Sequence, residues 1–544
     1  MHFAAHPVVG EGDNSFERHG VSKREMSLSV DGGGKNMKQR ALLIRFLMVW
    51  PVIASAAESA REIPRTWDDA EMAKHEIPRA DPAGSPKYVS SGYYYKIPVR
   101  PIYKGYPVYA PGHEPPGYMD WLKGQEPVIV WDDRGHAPPL KTEADWIRAG
   151  RIVYYATTRA QQDFRIEDFR NPDFYQKTGT PVATDGTVPA VEYVIRNKGV
   201  VELGFNSCAS CHTRVMRDGS LLDGAQSNFP VQRAFAYGFR AAAAAAKDQD
   251  QFVKQQRAGF KGLHTTPWLR PDPEDRIDAM SIGEIALAYE AIPPGVSLRA
   301  GTNLFTPIQI PDLIGVKERR YLDRTGIEIH RSIGDFMRYS ALNQGANRLA
   351  SYAGFVPADM PRYNQLPGPE ASRRYSDEQL YALALFVYSL EPPPNPNNLD
   401  SFALRGQKIF EREKCGVCHT PPLYTNNKLT PAQGFQIPLE HLRTYDILQI
   451  SVGTDSNLSL RTRRGTGYYK VPSLKGLWYR GMFPHDGSCA TLENWFDARR
   501  LGDDYVPTGF KGYGVQKRKV PGHEFGSNLS SEDKRALIAF LKTL

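Results

Sequence analysis

The sequence predicts a mainly α-helical chain: two small helical domains with long loops and few short strands, behind a Pro- and Tyr-rich N-terminal extension. Three observations predict it. A Cys-x-x-Cys-His motif occurs twice, at Cys208–His212 and Cys415–His419. Apolar residues recur at helical spacing after each motif. Residues 58–200, in contrast, carry so many prolines that long helices are excluded there.

The motif has a chemical reason for its spacing. Two thiols three apart, followed at once by an imidazole, form the attachment signature of a c-type haem. Each thiol adds across one vinyl group, and the histidine then lies under the iron as its proximal ligand. Cys208, Cys211, Cys415 and Cys418 are therefore the attachment residues, and His212 and His419 the ligands. Random order would give on the order of 0.001 such motifs in a chain of this Cys and His content. The alternatives are a Cys-x-x-Cys redox pair or half of a zinc site. A redox pair does not require His next in both copies, and zinc requires more cysteines than the one left over, Cys489.

Taken in order, Met37 to Ala57 read as a basic start, an apolar run and Ala-Ser-Ala before a cut near Ala56. Met37 is the expected start, with residues 1–36 an upstream over-call, and 1–56 are lost as signal peptide; an N-terminal membrane anchor is the alternative. Residues 57–200 are expected to be an extended wrapping region. It holds a short helix at Glu143–Ala149, a strand at Ile152–Ala156 and a hairpin of Val191–Arg196 with Val200–Leu203. His75, His113 and His136 read as surface histidines.

Residues 201–392 form the first cytochrome c-like haem domain. Helices are expected over Arg240–Lys247 running on through the following Asp-Gln-rich stretch, over Ser281–Ala291, over Ile329–Leu342, and after the capping box Ser376–Gln379. Pro392–Pro396 make a stiff linker. Residues 399–544 form the second haem domain, opened by a short helix at Gly406–Phe410 and closed by a helix after Ser530 that buries Leu537, Phe540, Leu541 and Leu544.

Thioether attachment takes place outside the energy-transducing membrane, so the periplasm is the expected address. No stable span is expected after signal cleavage. The chain is formally +8; without residues 1–56 it holds 61 Lys and Arg against 55 Asp and Glu, or +6. That charge is dispersed, which excludes a nucleic-acid-binding block and leaves Arg and Lys as partners for haem propionates.

The two motifs, the stretch Tyr469–Gly476 (Y-K-V-P-S-L-K-G), Phe483–Ser488 (F-P-H-D-G-S) and a late Gly-His-Glu resemble the di-haem cytochrome c peroxidase and MauG superfamily. The 207-residue gap between motifs and the long N-terminal region resemble most its branch of di-haem rubber oxygenases. That branch implies His523 as the second axial ligand of the second haem. Met482, Tyr469 and His485 are rivals, His485 also reading as a loop-holding residue with Asp486. Tyr469 and Trp478 are expected to line the space between the haems. For the first haem no sixth ligand stands out. Met216 lies too near His212 in sequence, and His330, Phe336 and Arg338 are the candidates for its far side. The peroxidase branch implies a calcium ion between the haems, although no loop makes a calcium motif.

These readings imply an oxidoreductase with two covalent haem c groups. The second haem would take electrons from a small donor such as a cytochrome c or cupredoxin. The first would reduce peroxide or activate dioxygen. Peroxidase and oxygenase are not separable on sequence. A non-catalytic di-haem electron carrier and a haem sensor are the competing classes.

Overall fold

The structure is a computed structural model and describes residues 62–136, 138–160, 165–345, 349–357 and 368–544. The expected signal segment, with Met37 and Ala56, lies outside the described residues. Residues 62–544 form one compact unit. No helix among the described residues is long and apolar enough to cross a membrane.

Part of the extension lies on later segments, with Pro86–Tyr88 paired to Ala350–Tyr352, whereas residues 105–205 build a sheet. Strands β1 (Gly105–Tyr109), β2 (Arg159–Ala160), β3 (Thr187–Asn197) and β4 (Val200–Phe205) form an antiparallel sheet in the order β1-β3-β4-β2. The expected hairpin is its centre: Asn197 pairs with Val200 across Lys198-Gly199, and Gly199 supplies the positive φ that the tight turn needs. Val188, Ala190, Val191, Tyr193 and Ile195 bury the inner face against Phe169, Phe174 and Phe229. The chain accordingly mixes many helices with short strands, and six further two-stranded sheets occur among the described residues.

Helix α1 runs unbroken over Glu143–Tyr155, replacing the expected helix followed by a strand. Its Thr142–Asp145 capping box starts it, and Trp146, Ala149, Val153 and Tyr154 supply one buried face. Ile152 and Val153 favour strands in isolation, but that buried face decides the outcome. The first motif is itself a short helix, α2 (Cys208–His212), capped by Ser207. The alanine-rich stretch divides into α3 (Val231–Ala245) and α4 (Gln249–His264), because Asp248 leaves the helix to cap the Gln251 amide. Next come α5 (Ile282–Glu290), then β5 (Tyr321–Leu322) paired with β6 (Glu328–Ile329), then α6 (Ile333–Gly345). The helix expected from Ile329 therefore starts four residues later. Helix α7 (Asp377–Tyr388) follows its capping box as expected.

In the C-terminal part, α8 (Ser401–Arg412) packs across α9 (Ser531–Lys542). The contact repeats one found earlier, where α1 packs across α7. A Cβ at Gly406 would run into the Ala536 carbonyl and Phe540, and a Cβ at Gly150 into the Ala382 carbonyl and Phe386. Ala382 and Ala536 each stand six residues after their N-cap serines, Ser376 and Ser530, and Phe386 and Phe540 four further on. The helix that does for the first motif what α8 does for the second thus comes from ahead of residue 201.

Two predictions follow from packing and burial. Helix propensity alone would make Gly406→Ala favourable by about 1 kcal/mol. Overpacking against backbone costs about 1–3 kcal/mol, so the variant should melt lower than the parent; a higher melting temperature would show that the helices do not meet at Gly406. Glu274 is wholly buried, with Oε1 accepting from the Leu304 amide at 2.9 Å and Oε2 unpartnered. Burial pushes its carboxyl up from 4.5 to about 8. The folded state then holds a proton that the unfolded state has released. That stability is full below the unfolded value and is lost as pH rises through the folded one. The urea midpoint should fall between about pH 5 and about pH 9, and Glu274→Gln should remove most of the fall.

Candidate functional site

The second motif sits in a turn that follows α8 after two residues. Its backbone closes through the His419 amide, which donates to the Cys415 carbonyl at 2.9 Å. The His419 ring is buried, and its Nδ1 lies 3.3 Å from the Tyr424 carbonyl and 3.2 Å from the Pro472 carbonyl. Two acceptors fix the proton on Nδ1 and leave the Nε2 lone pair for a metal. Burial holds the ring neutral, with its pKa lowered to about 4.

His523 stands opposite. The two ring centroids are 6.2 Å apart. A metal at about 2 Å from a nitrogen of each ring, with a ring radius of roughly 1.15 Å, separates the centroids by about 6.3 Å. The pair is therefore spaced to take one metal ion between them. Burial, and then His419, lower the His523 pKa to about 3.

The backbone of His523 has φ +48°, a left-handed conformation that is uncommon for a side-chain-bearing residue. Two contacts hold it there. The His523 amide donates to the Val452 carbonyl at 2.6 Å. Arg500, itself fully buried, donates to the carbonyls of His523 at 2.8 Å, Val520 at 2.5 Å and Trp495 at 2.7 Å. Gly522 permits this approach, since a Cβ there would strike the backbone of Gly453 and Thr454.

The first motif is anchored differently. Ser210 donates to the Ala190 carbonyl of β3 at 2.7 Å, and Tyr154 of α1 donates to the His212 carbonyl at 2.6 Å. His212 is held neutral by burial and by the nearby Arg299 guanidinium, its pKa lowered to about 3. Its buried Nδ1 meets no acceptor in good hydrogen-bonding geometry, although the Pro311 carbonyl lies close enough to oppose the fall. Among the described residues no second imidazole stands over His212 as His523 stands over His419.

The four motif thiols form no disulfide, and burial raises the pKa of each, to about 12 at Cys208 and about 11 at Cys415. A redox-active dithiol needs the opposite shift. No three His, Cys, Asp or Glu side chains gather as a metal shell among the described residues. A zinc shell of Cys and His therefore does not assemble among them. The thiols, the neutral imidazoles and the His419–His523 spacing all fit covalent haem.

The remaining sequence candidates have other partners. His330 has both ring nitrogens engaged, Nδ1 at 2.7 Å from the Arg319 carbonyl and Nε2 at 2.5 Å from the Tyr388 hydroxyl, so neither is left for a metal. Phe336 is core, packed between His330 and Tyr388. Arg338 is a buried partner of Asp335 at 2.9 Å. This engagement of all three corrects the expectation of a far-side pocket built from them. The Tyr469 hydroxyl donates to the Asp455 carbonyl at 2.6 Å, and its ring lies 4.6 Å from that of His485. Met482 packs by Gly509 and Gly487, and Met216 beside Leu222 and Trp478. Trp478 lines a cleft of about 520 Å³ between segments 314–319 and 473–479. His113 and His136 are exposed as expected. His75 is not: it is buried 3.5 Å from Asp335.

Sequence reasoning missed Tyr154, Arg299 and Arg500. Each acts through carbonyls or charge across more than twenty residues of chain, and none sits in a motif. The paired glycines Gly453 and Gly522, both at positive φ, are the one available signal for the His523 turn.

No family model matches the chain, and no curated protein sequence matches it. Among solved structures it is similar to hydrazine synthase from Kuenenia stuttgartiensis, at 17% identity over 47% of this chain and 79% of that one, with a TM-score of 0.26. It is also similar to a MauG-like protein associated with microbial copper homeostasis, at 16% identity over 55% and 89%, with a TM-score of 0.28. Likenesses at this level carry no argument, and the site is read from its own residues.

Arg500→Met should free the turn that carries His523. Each buried carbonyl left without a donor costs about 1–3 kcal/mol. Amide exchange over residues 520–526 should accelerate while that of α9 stays slow. Equal acceleration in both would show global destabilisation instead.

Proposed function

We propose that this chain is a periplasmic di-haem c-type cytochrome oxidoreductase, of the kind resembled by the peroxidase, MauG and rubber-oxygenase proteins. The observation that carries it is the 6.2 Å separation of the His419 and His523 rings behind an intact Cys415–Cys418 pair. When bound, two covalent haems supply one-electron storage and, at an open iron face, activation of peroxide or dioxygen.

The residues divide that work. His419 and His523 would together hold the second haem, which with both imidazoles engaged would supply electron transfer only. Electrons would reach that site from a small donor such as a cytochrome c or cupredoxin. His212 would hold the first haem, with Tyr154 fixing the His212 backbone and Arg299 placing a positive charge beside the ring. Reduction of hydrogen peroxide to water there would consume two electrons and two protons.

The purified mature protein should retain its pigment through acid-acetone extraction, with a mass larger than the polypeptide by two haems. Its spectrum should contain a low-spin component indifferent to cyanide or carbon monoxide and a high-spin component that shifts with either. His523→Gly should convert the low-spin component to high-spin. Two low-spin components unmoved by ligand would make the protein an electron carrier, and pigment that extracts would remove the haem reading altogether.

A further inference from the structure

A buried pocket of about 20 Å³ lies between the supports of the two motifs. Its lining includes Pro311, whose carbonyl approaches His212, and Pro472, whose carbonyl meets His419. Four cationic side chains face into it, Arg319, Arg324, Lys470 and Arg480, against one carboxylate, Asp312.

The cations are held by backbone carbonyls. Arg324 donates from Nε to the Gln309 carbonyl at 3.2 Å, and Lys470 from Nζ to the Tyr321 carbonyl at 3.3 Å. Arg319 donates to the carbonyls of Ile314, at 2.6 Å, and of Asp312. Arg480 donates to the Ser473 carbonyl at 2.9 Å. Its Nε is buried without a hydrogen bond, 3.8 Å from Asp312, whose carboxylate already accepts from the Tyr479 hydroxyl at 2.8 Å. Of the other acids acting on the group, Asp323 is matched by Arg299 at 2.8 Å and Arg464 at 2.5 Å, Glu328 by Arg464 at 3.0 Å, and Glu318 is exposed.

Buried charges in folded proteins are paired, and these four share one lining carboxylate, Asp312, which reaches Arg480 at 3.8 Å. Burial and mutual repulsion press the cations toward neutrality: Arg324 is lowered to about 9, and Arg319 and Lys470 are lowered as well. Four cations against one carboxylate leave the pocket short of negative charge, and it is too small for a free substrate. Guanidinium forks match the two oxygens of a carboxylate, and a field of this sign rejects a metal cation. Resting on the di-haem reading above, we infer that Arg319, Arg324, Lys470 and Arg480 form a shared seat for propionate carboxylates of both haems, in place of a bridging calcium ion.

The test uses holoprotein whose mass shows two haems, so failure of the di-haem reading is seen before the seat is examined. Both midpoint potentials are measured by spectroelectrochemical titration. In Arg324→Gln and Lys470→Met both should fall, because loss of a cation leaves propionate charge uncompensated and favours ferric iron. Arg324→Lys, which keeps the charge, should return both toward the parent values. Unchanged potentials, or a fall at one haem only, would overturn the shared seat. Two titrations of the parent protein decide the matter even if a variant fails to fold. Inorganic phosphate and a calcium chelator should both leave the potentials in place. A saturable shift with phosphate would make the pocket a site for free anions, and a chelator shift reversed by calcium would make it a metal site.

Discussion

The interaction on which the rest of the structure depends is the buried carboxylate of Asp323 between two arginines. Arg299 reaches it at 2.8 Å and Arg464 at 2.5 Å, and Arg464 also reaches Glu328 at 3.0 Å. Burial alone would raise the Asp323 pKa, but the two guanidinium groups hold it well below the usual carboxylate range. Glu328, buried beside Asp323 and Glu76, is pushed up instead. An ion taken out of water costs several kcal/mol, so such a cluster persists only when every member is in place. Its members come from segments far apart in sequence. Arg464 lies beyond the second motif in the chain, Arg299 and Asp323 between the two motifs. The N-terminal segment is pinned alongside through Ile77 on Ile327 at 2.8 Å, Ala80 on Gly465 at 2.9 Å and Arg79 on the Arg463 carbonyl. Arg299 is also the charge beside His212, so the cluster that joins the regions sets the field at the first motif.

The second constraint is the helix crossing made twice. In the C-terminal copy the motif follows its opening helix almost at once, Cys415 coming three residues after Arg412. In the first copy, α1 ends at Tyr155 and the motif begins at Cys208. Much of the four-stranded sheet fills the interval. Tyr154 spans it, donating to the His212 carbonyl and accepting from the Gly224 amide at 3.0 Å. Three of the four strands of the sheet are therefore inserted between α1 and the first motif. Ser210 closes it onto the motif through the Ala190 carbonyl.

What was legible in the sequence was whatever depends on neighbours in sequence. The two motifs, the Ser376 and Ser530 caps, the Lys198-Gly199 turn and the buried faces of α7 and α9 are all local patterns. The break at Asp248 was also local, but alanine propensity masked it. Misreadings arose where tertiary packing overrode a local signal. Ile152 and Val153 look like strand and are helix, because α7 gives them an apolar surface to cover. His75 looks like a surface histidine among prolines and is buried against Asp335. The sheet in residues 105–205 was underestimated because β1 and β2 are short and pair with strands distant in sequence. Charge clusters such as Asp323 with Arg464, or the four cations around Asp312, leave no periodic trace at all.

The two histidine sites differ in the sign of what surrounds them, and that difference bears on direction. At the second motif, two carbonyls accept from Nδ1 of His419, which makes the ring a stronger electron donor to a metal on its other nitrogen. A second imidazole opposite adds to the same effect, and both favour the oxidised metal. At the first motif Nδ1 of His212 has no such acceptor in good geometry, and the nearest strong charge is the Arg299 cation. A cation near a metal favours its reduced state, as does a less donating ligand. On the proposed reading, the chain therefore inclines electrons away from the site closed by two imidazoles and toward the site held by one. Such a gradient would arise from carbonyl and guanidinium placement. On the same reading, the left-handed turn and the buried Arg500 that holds it would keep His523 in place. A ligand that slipped would open the donor end of the gradient to small molecules and surrender the distinction between the two ends.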